Sequence, residues 1–209
     1  MKAWIFAALL GGFGLAGFAL PAAADTYRIE PKHSSAQFTY EHFGMSHPNG
    51  KVMGATGTLV LDWDHPENST VDATLDMTTL TTALPEFDTL LKSDKYFDVA
   101  QFPTATFKST AVVMTGDPLA ADADPKTGPR TATVTGDLTV HGVTQSVVLN
   151  VTFNKQAFNP ALFKTGVGFT ATTHLSRKLF GLDNLEPFVG DGIDLTIELE
   201  AYPGSAPSN

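Results

Sequence analysis

Hydrophobic and polar residues alternate along most of the chain after residue 25. In the segment 70–78, every second residue is apolar and the residues between are Thr or Asp. A period of two is typical of a strand with one buried face. The segments 130–140 and 192–202 show the same pattern, and weaker versions occur at Ala36–Glu41, Gly57–Asp62, Thr104–Val113, Ser146–Phe153 and Gly166–His174. About eight strands are therefore predicted, and one-sided alternation indicates an all-β, antiparallel sandwich or up-and-down barrel.

One segment, residues 84–98, breaks this rhythm. Phe87, Leu90 and Leu91 fall at helical spacing there, and Pro85 sits where the first turn of a helix tolerates proline. We expect a short helix followed by a loop. A second segment, residues 116–130, is rich in Pro, Asp and Ala without periodicity, which predicts a long surface loop. The pattern contains no internal repeat, so a single domain is expected.

The stretch GDLTVHGVTQSVVL, residues 136–149, places a histidine and a glycine between two alternating runs. Val140 ends the first run and Val143 begins the second. Glycine supplies the positive φ that a tight hairpin requires. His141 is therefore interpreted as a residue of a hairpin turn, in preference to a catalytic or ligand-binding residue.

The N-terminus has the pattern of a cleavable signal peptide. A lysine precedes a long apolar run, and Pro21 then leads into Ala22-Ala23-Ala24. Cleavage after Ala24 would leave a mature domain of residues 25–209 and export it to the bacterial periplasm. The alternative is an uncleaved N-terminal anchor, because the run is nearly long enough to span a bilayer.

Composition excludes several classes of function. The chain has no cysteine, so it has no disulfide, no catalytic thiol and no thiolate metal site. The net charge is −9, and loss of Lys2 with the signal peptide changes it to −10. An acidic protein is a poor partner for nucleic acid or for anionic lipid headgroups. We expect no nucleic-acid partner.

The polar residues do not form a recognised catalytic or metal motif. The six histidines are scattered, without an HExxH or similar spacing, so no metal site is expected. His33-Ser34 could suggest a serine nucleophile, but adjacent strand residues face apart, and a buried hydrogen-bonded pair is the preferred interpretation. For Arg177, we prefer an ion pair with a carboxylate such as Asp183, and a polar ligand head is the alternative.

Phenylalanine is unusually frequent, and twelve of the fifteen lie after residue 25. Several fall in the predicted helix or between strands. These rings either seal the ends of a filled barrel or line an apolar cavity that opens near residues 84–98. An eight-stranded barrel has the size at which either arrangement is found, and the residues alone leave both open.

Five stretches in order resemble the YceI-like family of periplasmic polyisoprenoid-binding proteins. They are YRIEPKHSSAQFTYEHFGMS, LLKSDKYFDVAQFPTATFKS, VTGDLTVHGVTQSVVL, and GFTATTHLSRKLFGLD followed by VGDGIDLTIELEA. The resemblance runs from Tyr27 to Tyr202. It implies an extended lipocalin-like barrel of eight antiparallel strands, partly closed by a helix near one end, with an apolar tunnel and no catalysis. It also implies homodimers and a functional link to a membrane cytochrome of the b561 type.

The resulting hypothesis is a periplasmic carrier or store for a polyisoprenoid, such as an isoprenoid quinone or a polyprenyl phosphate. No cofactor is expected beyond this bound lipid. The alternatives are a lipid-modifying enzyme that uses His33, Ser34 and Arg177, and a structural β domain with a filled core. Ten residues are expected to contact the ligand: Phe38, Phe43, Phe87, Leu90, Leu91, Phe97, Phe169 and Phe180 along the tunnel, and Arg177 and His33 at a polar end.

Overall fold

A computed structural model describes residues 24–116, 124, 126–127, 130–185 and 188–204. The predicted signal peptide and most of the 116–130 loop lie outside these residues. Within the described part, the chain forms ten strands and one α-helix, α1, at Pro85–Lys92. The strands are β1 Asp25–Ile29, β2 Ser35–His42, β3 Asn49–Met53, β4 Thr56–Leu61, β5 Thr70–Asp76, β6 Thr104–Met114, β7 Arg130–Val140, β8 Val143–Asn159, β9 Lys164–Ser176 and β10 Val189–Pro203.

The strands form one antiparallel barrel. Strands β4 to β10 pair in sequence, and β1 closes the ring because it pairs with both β4 and β10. Strand β2 continues from β1 along the other part of β10, and β3 pairs with β2. The pairs β1–β2 and β3–β4 thus each occupy one position, so the closed ring has eight strands. The predicted all-β, eight-stranded antiparallel barrel is confirmed.

Each of the eight predicted strands is present, but β1 and β3 were missed. Strand β3 begins with Asn49 and Gly50, residues that ordinarily indicate a turn. Gly50 is required there by packing, because a Cβ atom at this position would lie 2.3 Å from the ring of Phe38. The strand therefore depends on a contact that its own five residues do not reveal.

The break between β1 and β2 is bridged by side chains and backbone together. Ser34 is completely buried, its hydroxyl donates to the Glu200 carbonyl at 3.2 Å, and it accepts from the Glu200 N–H at 3.0 Å. The N–H of Glu30 donates to the same carbonyl at 2.9 Å. These bonds maintain the β10 ladder where neither short strand pairs with it.

The predicted helix is confirmed, and it covers one end of the barrel. Leu91 is buried in a cluster with Val52, Leu80 and Val99, and Phe97 in the following turn packs against the same cluster. We call this end of the barrel the helix end. The opposite end carries the start of β1 and the β8–β9 connection, and we call it the far end.

The β7–β8 hairpin turn, also at the helix end, is confirmed. His141 and Gly142 have φ values of 51° and 72°, and Val140 pairs with Val143. The His141 side chain is more buried than a turn tip usually is. Its ring stands edge-on to Phe102, with 5.0 Å between centroids, and Nδ1 lies 3.3 Å from the Phe180 carbonyl oxygen. His141 therefore helps to hold the hairpin against the 177–180 turn.

Candidate functional site

An apolar cavity of about 430 Å³ lies inside the barrel. Its walls are formed by every second residue along the strands, the ones that face inward. On β10 these are Ile193, Leu195, Ile197 and Leu199. Lining residues of this strand extend from Val189 to Leu199. At about 3.3 Å per residue and the usual strand tilt, this corresponds to roughly 25 Å along the barrel axis. The cavity is therefore elongated, and its shape suits a chain better than a compact ligand.

The cavity reaches exposed residues at both ends. At the helix end, Leu90 and Leu185 belong to the wall and are 38% and 58% exposed. At the far end, the wall includes Thr70, Met114 and Arg130, and Met114 is 37% exposed. At both ends the cavity wall therefore includes residues of the protein surface.

Eight of the ten residues expected to contact a ligand lie on the cavity wall. Phe87, Leu90, Leu91 and Phe97 line it from α1 and the turn that follows, because the helix lays its apolar side over the barrel. The other four, from β2, β9 and the 177–180 turn, are Phe38, Phe169, Arg177 and Phe180. Their contact with a ligand stays a prediction.

The expectation for Phe43 is wrong as to its position. Phe43 follows the end of β2 with a positive φ of 55°, and it is out of phase with Phe38 and Tyr40, which line the cavity from that strand. It is 49% exposed and packs on Phe188, with 5.9 Å between ring centroids. Phe43 therefore lies on the outer surface of the helix end.

His33 also lies outside the cavity, and the pair expected with Ser34 is not formed. The imidazole is 58% exposed, and its Nδ1 lies 2.8 Å from Oε2 of Glu30. Ser34 points inward and bonds to the backbone of Glu200 instead. Because these neighbours face apart, His33, Ser34 and Arg177 do not meet in one pocket.

Arg177 closes the cavity at the helix end, and four of its five donors are already used. The side chain is buried, and its guanidinium donates to the carbonyl oxygens of Gly190 at 2.9 Å, Asn184 at 2.9 Å, Val189 at 2.8 Å and Leu182. It pins the connection to β10, as predicted. The expected partner was wrong, because backbone carbonyls take the place of Asp183.

Charged and phenolic groups near the helix end are held in defined protonation states. Burial opposes ionisation of Asp191, yet hydrogen bonds from the Ser176 hydroxyl and the Lys178 N–H keep the pKa of Asp191 below its usual value. Burial, and then the nearby Tyr96, raise the pKa of Tyr40, so this wall residue presents a neutral hydroxyl.

The sequence analysis missed Arg130 and Trp63 as wall residues of the far end. Arg130 is in phase with Ala132 and Val134 along β7, so the period-two pattern could have identified it as inward-facing. No such signal marks Trp63, since it lies in the connection after β4 and reaches the wall by packing on Phe153, with 5.3 Å between ring centroids.

Two absences hold for the described residues. Among them, no three or more His, Cys, Asp or Glu side chains are grouped closely enough to hold a metal ion. No helix in this part of the chain combines the length and apolar character needed to cross a membrane.

Comparison with known proteins identifies the family. The model of the YceI-like domain matches residues 27–201, nearly the same range as the resemblance found in the sequence. The chain belongs to the YceI-like family. A UPF0312 protein of Pseudomonas savastanoi is 35% identical over 197 residues, which cover 93% of this chain and 94% of the relative. A UPF0312 protein of Pseudomonas putida is 34% identical, with 93% and 95% covered.

Solved structures show the same fold at lower identity. The YceI protein of Campylobacter jejuni superposes with a TM-score of 0.63 at 22% identity, covering 79% of this chain and 90% of that one. A polyisoprenoid-binding domain from Saccharophagus degradans gives 0.61 at 12% identity, covering 85% and 98%. BcnA of Burkholderia cenocepacia gives 0.62 at 19%, covering 80% and 95%. At these identities the likeness establishes the fold.

Proposed function

We propose that this protein binds a long-chain lipid of the polyisoprenoid class inside its barrel, and that it carries or stores this lipid in the periplasm. The observation that carries the proposal is the elongated apolar cavity of about 430 Å³, which reaches exposed residues at both ends of the barrel. Each CH₂ group that leaves water for such a cavity gains about 0.8 kcal/mol. Burial alone therefore supplies the affinity, and no chemical step is needed.

The family and one neighbour support the class of lipid. The Saccharophagus degradans domain that shares this fold is described as polyisoprenoid-binding. An isoprenoid chain is long, narrow and apolar. These properties match an elongated cavity that is lined by the inward-facing residues of the barrel strands. Within the class, an isoprenoid quinone and a polyprenyl phosphate both carry such a chain.

The two other functions considered from the sequence have less support. A structural domain with a filled core does not account for a cavity that follows most of β10. An enzyme built on His33, Ser34 and Arg177 would need these groups around one site. His33 is on the surface, Ser34 bonds to the backbone, and four of the five guanidinium donors of Arg177 bond to carbonyl oxygens. Binding is therefore the function that these positions favour.

The periplasmic location is part of the proposal and rests on the Ala22-Ala23-Ala24 pattern. Terminal sequencing of the exported protein should give Asp25 as the first residue, and a protein that still begins at Met1 would contradict export by cleavage. Homodimers and a link to a b561-type cytochrome stay predictions from the family resemblance.

The direct test is extraction of the cargo. The protein is purified from its native periplasm without detergent, its bound lipid is extracted with organic solvent, and the extract is identified by mass spectrometry. We expect an isoprenoid in near-stoichiometric amount. Extracts with no long-chain lipid, from protein that circular dichroism shows to be folded, would contradict the proposal.

A further inference from the structure

Arg130 places a positive charge on the wall of a mostly apolar cavity, whose far end also includes the carboxylate of Asp62. It is the first residue of β7, it pairs with Phe153 on β8, and both side chains line the far end. The Arg130 side chain is in phase with Ala132 and Val134, so the barrel itself directs it inward. It is half-buried, at the boundary between the cavity and solvent.

The guanidinium of Arg130 has no partner among the described residues. It forms no ion pair and no side-chain hydrogen bond there. The same part of the chain has no fully buried polar side-chain atom without a partner, so the guanidinium nitrogens remain within reach of solvent or of a ligand. Arg177 at the helix end is the opposite case, because four backbone carbonyls occupy its donors.

Two carboxylates near the far end, those of Asp25 and Asp62, are taken by other donors. Oδ2 of Asp25 accepts from Nε1 of Trp63 at 2.9 Å and from Nζ of Lys126 at 3.2 Å. Asp62 accepts from the N–H groups of His65 at 2.8 Å and Asp64 at 3.2 Å. The hydrogen bonds of these two carboxylates hold the connections at the far end, and neither carboxylate forms an ion pair with Arg130.

We infer that Arg130 binds the anionic head of the cargo at the far end while the apolar chain lies in the cavity towards α1. The inference rests on the proposed function and narrows it to an anionic amphiphile, such as a prenyl phosphate or a long-chain carboxylate. The planar fork of arginine matches phosphate and carboxylate oxygens with two parallel hydrogen bonds. A neutral head, such as a quinone or an alcohol, forfeits the ionic part of this interaction.

The test compares two ligands with the same chain, farnesyl phosphate and farnesol, and uses inorganic phosphate as the free anion. Trp63 lies on the far-end wall, and the other tryptophan, Trp4, is removed with the first 24 residues. The fluorescence of Trp63 in the mature protein therefore reports binding beside Arg130. The variants are R130Q and R130K, with K164Q as the control, since Lys164 is exposed at the same end and outside the cavity.

The wild-type protein should bind farnesyl phosphate about tenfold or more tightly than farnesol, the range expected for hydrogen bonds to a charged group. R130Q should lose this preference with an unchanged Kd for farnesol. R130K should keep part of it, because lysine retains the charge without the fork. K164Q should behave as the wild type, and inorganic phosphate alone should bind far more weakly than farnesyl phosphate.

Three results would overturn the inference, and the third of them would also contradict the proposed function. A preference for phosphate that persists in R130Q would place the head elsewhere. Inorganic phosphate that binds as tightly as farnesyl phosphate would show a site for free anions. If the wild-type protein binds neither farnesol nor farnesyl phosphate, the proposed function fails together with the inference. Should R130Q not fold, as judged by circular dichroism, R130K decides the matter, because a reduced preference for farnesyl phosphate supports the inference and an unchanged preference overturns it.

Discussion

Single polar residues inside this barrel are satisfied mainly by the backbone. Ser34 bonds to both backbone groups of Glu200, and Arg177 donates to four carbonyl oxygens. Carbonyl groups in an irregular connection have no ladder partner, so a guanidinium with five donors can replace several strand bonds at once. Arg177 thereby stabilises the helix end of the barrel, where the chain leaves β9 and enters β10.

Arg177→Met should therefore be strongly destabilising. It removes all four hydrogen bonds and leaves the carbonyl groups of Leu182, Asn184, Val189 and Gly190 without this donor, at an expected cost of about 3 kcal/mol or more. Urea denaturation gives the free energy of unfolding. Lys164→Met is the matched control, because Lys164 is an exposed cation on β9 at the opposite end of the barrel. Similar losses for the two variants would refute the role of Arg177.

Among the elements, the β7–β8 hairpin is defined by two backbone positions with positive φ. Gly142 has a φ of 72°, and a Cβ atom there would lie 2.5 Å from the ring of Phe102. Gly54, between β3 and β4, has a similar φ of 78° with no atom within 4 Å of such a Cβ. A substitution by alanine at Gly54 therefore carries only the cost of the left-handed backbone, whereas the same substitution at Gly142 adds the cost of a steric clash.

Gly54→Ala should lower the free energy of unfolding by about 1 kcal/mol, the usual cost of a left-handed conformation for alanine. Gly142→Ala should lower it by about 2–4 kcal/mol, because crowding against Phe102 is added. Both values can be measured by urea denaturation. Equal losses of unfolding free energy in the two variants would show that the Phe102 ring moves aside without cost. The hairpin would then not be packed tightly against Phe102.

The start of α1 depends on an ionised carboxylate. Asp88 accepts from the Thr82 hydroxyl and N–H, both at 2.6 Å, and from the Thr81 hydroxyl at 2.7 Å. These hydrogen bonds, that of the Thr82 hydroxyl above all, hold the pKa of Asp88 below its usual value of 3.8. The ionised form therefore fastens the segment before the helix to the helix itself.

Asp88→Asn should lower the thermal midpoint at neutral pH. A lowered folded-state pKa stabilises the protein above the unfolded-state value of 3.8, and this contribution is lost as the pH falls through the folded-state value. The difference between wild type and variant should thus be largest at neutral pH and shrink in acid. Asp94→Asn, at an exposed position beyond the helix, controls for the loss of a charge. A difference in thermal midpoint between wild type and Asp88→Asn that grows in acid would contradict the stabilising role of the ionised Asp88 carboxylate.

For the whole molecule, the sequence predicted the barrel and the helix but only part of the cavity wall. Period-two alternation located the long strands because each buries one face along its length. It missed β3, whose Gly50 is explained only by the ring of Phe38 from the neighbouring strand. Phe43 was misplaced although the same alternation sets it out of phase with Phe38 and Tyr40, which line the cavity from β2. Arg130 could have been assigned from its phase with Ala132.

The central claim, that the barrel interior holds a long-chain lipid, is tested most directly by filling the cavity from one strand. Ala171 of β9 is on the cavity wall, and its neighbour Thr172 is exposed on the outside. The measurement is the amount of lipid extracted per folded protein from Ala171→Phe and from Thr172→Phe, each produced in the native periplasm. The added ring in Ala171→Phe occupies the space of the chain, so its bound lipid should fall severalfold while Thr172→Phe retains the wild-type amount. Equal lipid in the two folded variants would contradict a ligand inside the barrel.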